Sequence, residues 1–188
     1  MGKGKIGIRA VIFLIIFQLT MPALAQQAYL SDIVVTNTQD HLLVYFSVND
    51  CFTVDMNRAI ESGIKTTFTF YIRLYVKRDY WWDRKVGDKE ISHTIKYDNL
   101  KKIYEVRLPE QNNKVITVKD FDEAKRLMTE VVAVKVIALR NLKRGEDYQL
   151  NMMAQLDKIR LPLYLHYVFF FLSLWDFETD WYSIDFRY

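Results

Sequence analysis

The chain has 188 residues, 51% hydrophobic and 15% aromatic, with 26 Lys and Arg against 23 Asp and Glu. Three of those bases (Lys3, Lys5 and Arg9) and none of the acids fall in residues 1–25, so the remaining 163 residues carry 23 charges of each sign and no formal net charge. That balance leaves no basic surplus of the kind a nucleic-acid interface needs, and the length and apolar content suit one domain around one core.

Residues 1–25 read as a secretion signal. A basic start precedes the apolar run 10–19, and Ala23 and Ala25 form a small-residue cleavage site before Gln26. The expected organisation is a cleavable signal over 1–25 and one β-rich domain over 26–188. An uncleaved leader acting as an N-terminal anchor is the alternative, because 10–25 approaches the length that spans a bilayer. Cys51 is the single cysteine, so no intramolecular disulfide forms, and it does not follow the cleavage site as a lipid-attachment cysteine would. It reads as a buried, inert thiol. A catalytic role would require a histidine partner.

Alternation then dominates. Residues 33–35 suggest a short strand, and Leu42, Val44, Phe46 and Val48 a longer one. Thr53 or Asp55 caps a short helix with Met56, Ala59 and Ile60 on one face, closed by Gly63. From Thr66 the longest strand alternates Phe68, Phe70, Ile72, Leu74 and Val76 with Thr67, Thr69, Tyr71, Arg73 and Tyr75. Ile91, His93, Ile95 and Tyr97 continue the pattern, as do Tyr104, Val106 and Leu108, and residues 115–118 make a shorter strand. Asp120 and Glu123 open a second helix whose stripe is Phe121, Ala124, Leu127, Met128 and Val131. Tyr148, Leu150, Met152, Ala154 and Leu156 form a further strand, and Tyr182, Ile184, Phe186 and Tyr188 a last one. Turn signals lie at 37–40, 86–89, 98–99, 112–113 and 144–147. Short connections favour antiparallel pairing. The expected fold is α+β and β-rich: an antiparallel sheet or β-sandwich with two or three helices packed against it.

The run 161–175 carries no charge. It is shorter than a spanning helix and reads as a buried helix, an interfacial helix or a strand.

The segment 77–85 interleaves aromatics with both charges, which suits a hairpin end that meets a membrane or a partner. The competing reading packs one Trp under the hairpin and leaves the charges solvated. Tyr80, Trp81 and Trp82, with Trp175 and Trp181, are the candidate contact residues. His41, His93 and His166 lie far apart, and His93 reads as a satisfied buried histidine. Asp176, Glu178 and Asp180 alternate, but without a calcium-loop pattern they read as a solvated edge. No phosphate loop, nucleophile elbow or metal motif occurs, and no cofactor or metal is implied.

Several phrases carry a family resemblance: 59–64 running into a Thr/Phe-rich strand, Tyr80-Trp81-Trp82-Asp83, His93-Thr94-Ile95 through Asp98, Leu161-Pro162, and above all 174–182. Together they resemble the bacterial family known as domain of unknown function 4390. The resemblance implies an exported protein, in the periplasm or on the periplasmic face of a membrane. It implies no activity, so it assigns no functional residue. The leading expectation is a non-catalytic envelope domain that contacts a protein partner or an apolar ligand at the membrane surface. One alternative is a small outer-membrane β-barrel, suggested by the aromatic terminal alternation and opposed by the second helix. The other is a small periplasmic hydrolase using carboxylate pairs, or Cys51 with a histidine.

Overall fold

The longest alternating segment becomes the centre of the molecule. In the computed structural model, which describes residues 27–157 and 178–188, this segment is strand β3 (Thr66–Val76). It pairs on one side with β4 (Arg84–Asp98) and on the other with β8 (Asp147–Leu156). The sheet extends outward through β5 (Ile103–Leu108) and β6 (Lys114–Val118) on the β4 side, and β9 (Tyr182–Arg187) on the β8 side. A second sheet joins β1 (Tyr29–Asn37), β2 (His41–Asn49) and β7 (Glu130–Ala138). Every pairing is antiparallel, as the short connections predict.

Phe68, Phe70, Ile72 and Leu74 are fully buried on the inner face of β3, where Phe70 meets Phe46 of β2 edge-on at 5.8 Å between ring centroids. The two sheets therefore share one apolar cluster, and both α-helices pack on it: α1 (Val54–Glu61) through Met56 and Ile60, α2 (Phe121–Thr129) through Ala124 and Met128. Two single-turn 3-10 helices occupy Pro109–Gln111 and Leu139–Asn141. The architecture is α+β with two antiparallel sheets. The described strands close no barrel, since the larger sheet ends at β6 and β9 and the smaller at β1 and β7. No helix among the described residues is long and apolar enough to cross a membrane. The uncharged run 161–175 lies outside the described residues.

Helix ends follow the local signals. Thr53, not Asp55, caps α1, its side chain accepting from the Met56 N–H at 3.2 Å. At the other end the Gly63 N–H donates to Ile60 O and the Ile64 N–H to Ala59 O, a Schellman closure made possible by φ +85° at Gly63. Asp120 caps α2 by accepting from the Glu123 N–H at 2.8 Å.

Two expectations are corrected. The turn expected at 86–89 is part of continuous β4, with a bulge opposite Leu74 and Tyr75. Gly87 serves close packing instead: a Cβ there would meet the Leu74 Cβ at 3.2 Å and Val136 Cγ1 at 3.5 Å, because β7 crosses above it. The second helix does not reach Val131. It ends at Thr129, and Val131 is buried in β7, a strand the helical spacing of 121–131 concealed. Ala133 (φ +55°) bulges β7 and flips its phase, so that Val131 and then Val134 and Val136 all face the core.

Candidate functional site

The β3–β4 hairpin is open at its tip. β3 ends at Val76 and β4 begins at Arg84, leaving residues 77–83 to connect them. The root of this connection is pinned. The Lys77 N–H donates to Asp147 O at 2.9 Å, Lys77 Nζ bridges to Asp185 at 2.9 Å, and the Arg78 N–H donates to Asp83 Oδ1 at 3.1 Å. Above the root the aromatic rings stand in solvent: Tyr80 is 92% exposed, Trp81 76% and Trp82 92%. Neither tryptophan packs under the hairpin, so the competing reading of this segment is not what the fold adopts. Three adjacent large aromatics left in water are an uncommon surface feature, and such patches mark contact sites.

The other candidate contact residues are elsewhere. Trp181 is 40% exposed and lies beneath the Arg73 guanidinium, 4.7 Å from its ring centroid. It precedes Tyr182, which pairs with Met152, itself opposite Ile72 in the middle of β3. Trp181 therefore sits mid-sheet, apart from the tip, in a pocket of about 360 Å3 with Tyr29 and Tyr182. Trp175 lies outside the described residues, as do His166 and Asp176.

Cys51 is buried, its Sγ 3.9 Å from the Val48 carbonyl, and burial pushes its thiol up to about 12. It is therefore a protonated thiol at neutral pH, without the thiolate a nucleophile needs. His93 is fully buried. Its Nδ1 donates to the Met128 carbonyl at 3.0 Å, since a carbonyl only accepts, and its Nε2 faces Glu110 Oε1 at 3.1 Å. The pair ties β4 to the turn after β5 and to the last turn of α2. Of the alternating acids, Glu178 forms a single bridge with Gln155, and Asp180 accepts from Gln27 Nε2 at 3.2 Å. Among the described residues no group of three or more His, Cys, Asp or Glu is placed to hold a metal ion.

One feature was hidden in the alternation. On the outer face of the larger sheet, Thr67, Thr94, Arg107 and Val115 form a row across β3, β4, β5 and β6. In the next row Lys96 stands opposite Glu105, and Lys65 precedes Thr66, the partner of Ile95. Lys65, Thr94, Lys96, Glu105, Arg107 and Val115 line a pocket of about 300 Å3. Singly, each base reads as the solvated side of a strand; only the register of three strands brings them together.

The model of the family described as "Domain of unknown function (DUF4390)" matches residues 25–185. No curated protein and no solved structure matches the chain. With nearly its whole length covered by that match, the chain belongs to the domain of unknown function family DUF4390.

Proposed function

We propose that this is an exported, non-catalytic contact domain that docks on a membrane surface through Tyr80, Trp81 and Trp82. The observation that carries the reading is the exposure of all three rings at the end of a pinned hairpin. Trp and Tyr combine an apolar ring with a polar edge and partition to the boundary between headgroups and acyl chains. Arg78 and Arg84 flank them and suit the headgroup level. Burying about half of one tryptophan's surface, ~100 Å2, contributes roughly 2.5 kcal/mol before the cost of ordering the loop. The export signal read in residues 1–25 supplies the compartment in which such a surface would meet a bilayer.

Flotation of the protein with phosphatidylcholine vesicles, followed by tryptophan emission, tests this. Binding with a blue shift is expected, and the double substitution Trp81→Ser/Trp82→Ser should abolish both while leaving the melting temperature unchanged. Absence of binding by the native protein, or binding that survives the double substitution, overturns the membrane reading. Crosslinking from residue 81 to an envelope protein would then put a protein partner in its place.

A further inference from the structure

Some of the surface bases of this protein are set beside an acid. Lys77 pairs with Asp185, Lys101 with Asp98, Arg126 with Glu130, Lys143 with Glu146 and Arg187 with Asp147. The pocket on the outer face of β3–β6 gathers three bases that are not so paired. None of Lys65, Lys96 and Arg107 makes an ion pair with a described residue. The one acid in the lining, Glu105, is approached at 3.8 Å by Lys101, which lies outside the lining. Lys65, just before β3, and Lys96 of β4 lie in the same lining. Three cations thus line one pocket with a single acid, Glu105, which stands opposite Lys96.

We propose that this pocket binds a phosphate group carried on a small ligand. Arg107 offers a planar fork of N–H donors that matches phosphate oxygens, and Lys65 and Lys96 add point charges from the neighbouring strands. The Thr94 hydroxyl, 3.5 Å from that of Thr67, supplies a neutral donor in the same row as Arg107. At about 300 Å3 the pocket is at the lower end of ligand-binding sizes, which leaves room for the group that bears the phosphate. Val115, 46% exposed, gives that group an apolar wall. Of the neighbouring charges, Asp157 is committed to Thr69 Oγ1 at 2.7 Å, and Lys101 bridges Asp98 at 3.3 Å and Glu105 at 3.8 Å. A bound anion would offset the excess positive charge of the lining, so binding should also stabilise the folded protein.

The shared chemistry has two sources, a soluble phosphate ester or a lipid headgroup, and the test separates them. The mature protein is titrated with inorganic phosphate and glycerol phosphate, followed by the Arg107 Nε–H and Thr94 amide resonances. In parallel it is floated with phosphatidylcholine vesicles with and without phosphatidylglycerol, on the Trp81→Ser/Trp82→Ser background so that the aromatic tip does not contribute. Saturable shifts at both residues assign a soluble ester; binding confined to phosphatidylglycerol vesicles assigns a headgroup. In either case Arg107→Gln should weaken binding about tenfold, the loss of one charge-assisted contact. Glu105→Gln should strengthen it several-fold by removing the one acid in the lining. Neither residue is buried, so unchanged circular-dichroism melts should accompany these effects. No saturable binding in either arm, or binding indifferent to Arg107→Gln and Glu105→Gln, overturns the assignment.

Discussion

The two ends of the β3–β4 hairpin are built on opposite principles. At its base every large group is committed: Phe70 contacts the His93 ring at 4.7 Å, and His93 is held by Met128 and Glu110. At its tip, Tyr80, Trp81 and Trp82 contribute nothing to the core. Apolar surface left in water at the tip brings no folding stability, whereas the buried pair at the base is joined by the His93 Nε2–Glu110 Oε1 hydrogen bond, with Glu110 Oε2 left buried and unpartnered among the described residues. The hairpin thus separates a stability end from a contact end along one pair of strands. Substitutions at the base should change the melt and leave vesicle binding intact; those at the tip should do the reverse.

The largest effect is expected at the base. Glu110→Ala removes the partner of a histidine that is 0% exposed and leaves Nε2 buried without a hydrogen bond. The expected cost is about 3 kcal/mol, a fall in melting temperature of roughly 9 °C for a chain of this size. Glu110→Gln keeps a hydrogen-bonding group within reach and should cost about 1 kcal/mol. Thermal unfolding of both, with flotation at a temperature where both remain folded, checks the separation. Loss of vesicle binding by folded Glu110→Ala would show that base and tip are coupled.

Much of the base was legible in the sequence. The strict alternation of β3 and β8 placed their buried faces, and His93 between Ile91 and Ile95 was expected to be buried and satisfied. Its partners were not legible, because Glu110 and Met128 reach it only through the turn after β5 and the end of α2. Gly87 misled for a related reason: its value lies in the approach of Val136 from another sheet, and a glycine signals a turn and a close contact alike. β7 was hidden because Val131 continues the helical spacing of α2, and Ala133 breaks the alternation that would have revealed a strand. At the tip, the aromatic cluster was visible, but whether a ring would fold beneath the hairpin depended on tertiary space. The basic pocket was invisible, since Lys96 and Arg107 are ordinary outward positions until register joins them.

Trp181 sharpens the comparison by being the same residue type in the other role. Its ring supports Arg73 at 4.7 Å, a cation–π contact at a half-exposed site. Trp181→Ala should therefore lower stability by about 1 kcal/mol while leaving vesicle binding at its native level, opposite to the tip substitutions. Flotation that weakens as much as in Trp81→Ser/Trp82→Ser would extend the contact surface to mid-sheet.

The smallest effect concerns pH and the strand that braces the root of the tip. β9 is an edge strand held by exposed carboxylates: the Arg187 fork on Asp147, at 2.8 Å for each contact, and Lys77 on Asp185, which Gln149 also reaches at 3.1 Å. The Arg187 hydrogen bond lowers the Asp147 carboxyl below the ordinary aspartate value, and that of Lys77 does the same for Asp185. A carboxyl lowered in the folded state stabilises it fully above the unfolded-state value of about 4, and that contribution is lost as pH falls through the lower folded-state value. Solvent exposure keeps it small, and salt should screen it. Amide exchange should thus quicken across β9 on acidification below about pH 4, before protection is lost at Phe68, Phe70 and Ile91 at the hairpin base. Because Lys77 joins Asp185 to the root of the tip, the exchange of residues 77–79 should quicken together with that of β9. Simultaneous loss of protection at β9 and at the base would instead mean that the whole hairpin opens as one unit.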